Sequence, residues 1–85
     1  MKTNRVPAEV FPPGDFIREE MAERGWTVEM LASAAVIPVE KLQALLDNAP
    51  LPARYAERLA VAFGTSAIYW SHLWLMWKKY GKETP

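Results

Sequence analysis

The apolar positions of this chain fall into five runs with helical spacing, each bounded by glycine, proline or a small polar residue. Past Gly14, Phe16, Ile17 and Met21 form an inward stripe while Arg18, Glu19, Glu20 and Glu23 face water. That pattern predicts a first helix capped by Asp15 and running to about Arg24. Gly25 closes it as a left-handed cap, and Glu20 and Arg24 stand four apart in the favourable order. After Trp26, Thr27 opens a second helix: its hydroxyl can accept from an N–H two or three residues on, and Glu29 sits at the positive end. Leu31 and Ala32 turn inward, and the helix stops near Ala35.

Ile37 and Pro38 introduce a third helix, where proline removes a donor that a first turn leaves unpaired anyway. Leu42, Leu45 and Leu46, at i, i+3 and i+4, give it a buried stripe. Asp47 to Pro50 form a loop in which Asn48 takes a left-handed conformation. Pro52 starts a fourth helix that ends before Gly64, with Tyr55, Leu59, Ala62 and Phe63 buried and Arg54, Glu57 and Arg58 outside. Thr65 or Ser66 caps a fifth, which runs to about Tyr80, is closed by Gly81 and carries Lys78 and Lys79 at its negative end. Five helices, short loops and no alternating strand pattern predict an all-α fold.

Around this body, residues 1–13 read as an extended N-terminal arm held off helix by Pro7, Pro12 and Pro13, with Val6, Val10 and Phe11 able to pin it. Residues 14–81 are the helical domain and 82–85 a tail. At 85 residues, 51% of them hydrophobic, the chain has material for one core. It has no cysteine, which excludes disulfides and thiolate metal sites and fits a cytoplasmic location. The opening stretch lacks the continuous apolar segment of a secretory signal, and the most apolar run, Ile68 to Trp77, is about half of the roughly 20 residues a membrane span needs. The formal charge is zero, so the chain lacks the basic surplus common in proteins that grip nucleic acid by its phosphates.

The second and third helices, joined by a tight turn, have the helix-turn-helix plan. Three blocks, PPGDFIREEM at Pro12 to Met21, WTVEMLA and KLQALLDN within Trp26 to Asn48, and RLAVAFGTSAIYW at Arg58 to Trp70, are similar to the HigA-type antitoxins, a branch of the lambda-repressor-like (XRE) DNA-binding domains. The resemblance covers roughly residues 12–77. It implies a five-helix domain, a homodimer, binding to double-stranded operator DNA in its own promoter, and a toxin protein partner that cleaves messenger RNA. Carried onto this chain, it puts the base-reading positions at Val39, Glu40 and Ala44, with Lys41, Gln43 and Arg54 as polar contacts and Thr27 at the N-terminus of the other helix of the pair.

Three positions depart from the family pattern. Val28 stands where glutamine is usual, Val36 replaces the turn glycine, and Pro38 replaces the serine or threonine cap. Ala44 can touch a thymine methyl, and Glu40 can accept from cytosine N4 while bringing a like charge toward phosphate. The alternative expectation is therefore a protein-interaction module, an inhibitor or assembly factor, on the same scaffold. The fifth helix offers a second surface. Trp70, Leu73, Trp74 and Trp77 lie on one side and Tyr69, His72, Met76 and Tyr80 on another, so a helix apolar on two sides must be covered further. Trp74, Trp77 and Tyr80 are the expected subunit interface. No catalytic residue, metal site or cofactor is expected: His72 is the only histidine, Ser71 points about a hundred degrees away from it, and Asp15, Glu19, Glu20 and Glu23 read as a solvated helix face.

Overall fold

The structure, a computed structural model, describes residues 10–81. Among these residues there are five helices and no strand: α1 (Pro13–Arg24), α2 (Val28–Ala35), α3 (Val39–Leu46), α4 (Ala53–Phe63) and α5 (Ala67–Tyr80). The core is built where the inward stripes meet, around Ile17 of α1, Leu31 of α2, Leu42 of α3, Leu59 of α4 and Trp70 of α5, all fully buried. α4 packs most extensively on α5, α2 lies against α3 and α4, and α1 bridges α3 and α5. Helices as short as α2 and α3 gain their stability from this packing rather than from propensity. No helix among the described residues is long and apolar enough to cross a membrane.

α1 begins earlier than its sequence suggests. Pro12 is the N-cap, Pro13 occupies the first turn, and no side chain caps the helix, so Asp15 is not the cap; it lies inside the first turn, at the positive end. Pro12, Pro13 and Gly14 are buried, so this end of the stretch read as an arm belongs to the body, with Val10 half-buried and Phe11 exposed beside it. The rest of that arm, including Val6, and the tail from Lys82 lie outside the described residues. Gly14 is required by close approach. A Cβ there would stand 2.7 Å from the Leu46 carbonyl oxygen and 2.9 Å from that of Leu45, so the start of α1 sits directly on the end of α3. Arg18 reinforces the junction by donating to the Leu46 carbonyl at 2.9 Å.

At the other end of α1, Arg24 is paired with Glu20 and also reaches α4. Its guanidinium donates to the Phe63 carbonyl at 3.0 Å and lies over the rings of Phe63 and Trp26, which stack on each other at 5.9 Å. Gly25 and Gly64 end α1 and α4 in the left-handed conformation. On α4, Ala56 and Ala60 are buried, whereas Ala62 is only half-buried; small residues on this face let α2 and α5 approach. Of the two candidates for the cap of α5, Ser66 takes the role by accepting from the Tyr69 amide. Thr65 has a different one: its hydroxyl accepts from Nε1 of the fully buried Trp70 at 2.7 Å, satisfying a donor that has no access to water.

Candidate nucleic-acid interface

The α2–α3 pair is set by its caps and its turn. Thr27 caps α2, accepting from the Met30 amide at 3.2 Å. The turn, Val36–Ile37–Pro38, reverses the chain because Val36 is left-handed at φ 56°, ψ 50°, a conformation that a β-branched side chain adopts only under strain. Two contacts hold it there. Ile37 is buried in the core, its amide donating to the Ala32 carbonyl at 3.0 Å, and Arg58 reaches from α4 to donate to the Val36 carbonyl at 2.8 Å.

α3 then starts at Val39 with Pro38 as its N-cap and no side-chain cap, which leaves first-turn amides directed outward. Leu42, Leu45 and Leu46 are buried against the body, while Val39, Glu40, Lys41, Gln43 and Ala44 are all exposed. Every α3 position nominated from the sequence is thus on one open face of the helix. The structure also brings Lys41, Ala44 and Arg54 together as walls of a single shallow cleft floored by Leu45 and Tyr55; the Arg54 guanidinium rests 4.8 Å from the centre of the Tyr55 ring. Thr27 is exposed at the start of α2, apart from that cleft, and its hydroxyl is engaged as a cap.

The electrostatics of this face are mixed. Lys41, Arg54 and Arg58 contribute positive charge; Glu29, Glu40 and Asp47 contribute negative charge, and Asp47 is 3.8 Å from Arg18. The pair also exposes apolar side chains: Met30 in the first turn of α2, Val36 in the turn, by 69%, and Val39 at the start of α3. Sequence reasoning placed Arg58 and Arg18 simply in water, yet both hold carbonyls of the α2–α3 unit. Their acceptors are main-chain oxygens, which every residue carries, so no residue pattern marks them.

On α5, Trp74, Trp77 and Tyr80 are half-buried, Trp74 packing against the core, and Lys79 lies over the Tyr80 ring at 5.4 Å. The most exposed large apolar side chains of that helix are instead Ile68 and Leu75. Among the described residues no three His, Asp or Glu side chains are grouped to hold a metal ion. No family model matches the chain, and no curated protein matches it.

Proposed function

We propose that this chain is a DNA-binding transcriptional repressor of the HigA-like antitoxin kind, with the lambda-repressor-like helix-turn-helix fold, acting in the cytoplasm as a homodimer and paired with a toxin protein. The observation that carries the reading is the open outer face of α3, with Val39, Glu40, Lys41, Gln43 and Ala44 all exposed and Lys41 converging with Arg54 on one cleft. An α-helix on such a face fits a B-DNA major groove, and its uncapped N-terminus and Thr27 of α2 suit flanking phosphates. Lys41 and Arg54 supply backbone contacts that fix the register; Gln43 and Glu40 supply base-edge contacts to adenine and cytosine, and Ala44 a surface for a thymine methyl.

Titration of the chain with duplex DNA from upstream of its own gene, at two salt concentrations, tests this. Binding should weaken steeply with salt, and Lys41→Ala should lower both the affinity and the salt slope, the latter by about 1. Absence of binding at low salt sinks the repressor reading. One observation favours a second reading, a protein-interaction module on the same scaffold: the exposed Met30, Val36 and Val39 put apolar side chains where a phosphate-gripping face would be charged. Under that reading the DNA titration stays flat at both salts.

A further inference from the structure

Val36 and Ile37 are joined by one peptide group, and that group is held from both sides. Its N–H donates to the Ala32 carbonyl in the last turn of α2 at 3.0 Å, and its carbonyl accepts from Nη1 of Arg58 on α4 at 2.8 Å. Because a peptide is planar, pinning it at both ends fixes ψ of Val36 and φ of Ile37 together, and so the direction in which the chain leaves α2 for α3. α4 is a firm anchor for such a hold, since Tyr55 and Leu59 on that helix are buried in the core. Arg58 reaches the turn along a shallow hollow that Ser33 and Pro38 also line.

The two ends of α3 are secured differently. At the C-terminal end α1 sits on the Leu45 and Leu46 carbonyls, with no room for a Cβ at Gly14, and Arg18 adds a bond to the Leu46 carbonyl. At the N-terminal end α3 has no side-chain cap, the residue that begins the turn is a left-handed valine, and α3 packs chiefly on α1 and α2 rather than on α4. Among the described residues, the Arg58 bond is the hydrogen bond that ties this end to α4. A strained backbone conformation persists only where its surroundings over-determine it.

We infer that Arg58 is a positioning residue for α3: by holding the peptide between Val36 and Ile37 it sets the angle at which the outer face of that helix is presented. What the face meets is taken from the proposed function, which this role deepens by assigning the residue that aims α3. Arg58 thereby differs from the arginine one turn earlier on α4. Arg54 lies over Tyr55 and beside Lys41, where its charge is open to a phosphate. Arg58 commits a donor to the main chain, so its loss changes the pose of α3 and not the number of charges set against DNA.

Amide hydrogen exchange of the full chain, wild type against Arg58→Met, tests this without DNA. Arg58 is exposed and methionine keeps an unbranched stem, so the helical circular dichroism should be unchanged. The amides of Ile37 and of Leu42, which closes the first turn of α3 on the Pro38 carbonyl at 2.9 Å, should exchange faster. The net value of one such bond makes the increase about fivefold. The Asn48 amide, bonded to the Leu45 carbonyl at the other end of α3, and the Leu59 amide in the core should change far less. Arg54→Met is the control and should leave the Ile37 and Leu42 rates as they are. Adding Val36→Gly to Arg58→Met should slow Ile37 exchange again, because glycine keeps the left-handed turn without outside help. With duplex DNA from upstream of the gene, Arg58→Met should lower the affinity about fivefold at an unchanged salt slope, whereas loss of a phosphate contact would lower the slope by about 1. Ile37 and Leu42 rates that do not rise, a rise shared equally by Asn48 and Leu59, no rescue by Val36→Gly, an unchanged affinity or a fall in the slope overturns the assignment. If the wild type binds no DNA, the repressor reading fails while the exchange pattern still decides whether Arg58 holds the entry to α3. If the exchange pattern fails, the effect of Lys41→Ala on DNA stands, so the two readings fail separately.

Discussion

Among the described residues Val36 is the one β-branched residue held in the left-handed region, at φ 56°, and Val36→Gly should stabilise the protein. For a residue with a Cβ this conformation costs roughly 1–2 kcal/mol, and branching at Cβ puts valine at the upper end, so glycine recovers about 2 kcal/mol. Against that gain, glycine gives the unfolded chain more freedom, which costs about 0.7 kcal/mol. The valine side chain is 69% exposed, so losing its residual burial costs only about 0.5 kcal/mol. The balance is a gain of about 0.8 kcal/mol, or roughly 3–6 °C in melting temperature for a domain of this size. The Arg58 bond to the Val36 carbonyl is to the main chain and survives the change. Asn48→Gly is the internal control: Asn48 is also left-handed, at φ 73°, but asparagine tolerates that region, so the same substitution should leave stability level or slightly lower. Urea unfolding followed by circular dichroism, with the slope in denaturant unchanged, reads both. If Val36→Gly destabilises by more than about 0.5 kcal/mol, the strain argument is wrong and the valine side chain contributes packing that its exposure conceals.

Three further changes probe the junctions. Gly14→Ala forces a Cβ against the Leu45 and Leu46 carbonyls and should cost about 1–3 kcal/mol in urea unfolding as α1 is pushed off α3; a neutral result would mean that this junction yields. Thr65→Val keeps the volume but strips the acceptor from the Trp70 indole N–H, a loss of about 1–3 kcal/mol that should appear as a lower midpoint. Burial and the carboxylates of Glu20 and Glu19 raise the Tyr69 phenol above its ordinary 10.0. Since the folded state holds that proton more tightly, the stability from Tyr69 is complete below pH 10 and declines as pH rises beyond it. Tyr69→Phe should therefore flatten the alkaline fall in stability, and an identical pH profile for the two proteins would refute that cause.

Element by element, the fold was legible where the chain carries punctuation with one local meaning. Gly25 and Gly64 had to end helices, Thr27 had to begin one, and the leucines of α3 could face only one way. The start of α1 was misread because Asp15 has the chemistry of a cap, whereas the helix is entered through Pro12 and Pro13, whose burial against the end of α3 is a tertiary fact. The α3 positions of the candidate site were legible for the same reason as its core: once Leu42, Leu45 and Leu46 point inward, Lys41, Gln43 and Ala44 must point out. That Arg54 comes round to Lys41 depends on the path of the Asp47–Pro52 connection, which no spacing encodes. On α5, apolar residues surround the helix, and spacing alone nominated Trp74, Trp77 and Tyr80 as the side that a second subunit would cover. Those three side chains are half-buried within the single chain, and Ile68 and Leu75 are more exposed, a difference that depends on how α5 is rotated against its neighbours and that no spacing encodes.

In the proposed function the outer face of α3 is what meets DNA. Amide chemical-shift mapping of the isotope-labelled chain, titrated with duplex DNA from upstream of its own gene, addresses it residue by residue. The shifted amides should cluster at Val39, Glu40, Lys41, Gln43 and Ala44, with Thr27 and Arg54 at the margins and Ile68 and Leu75 unmoved. Shifts centred on α5, or none at low salt, would contradict it.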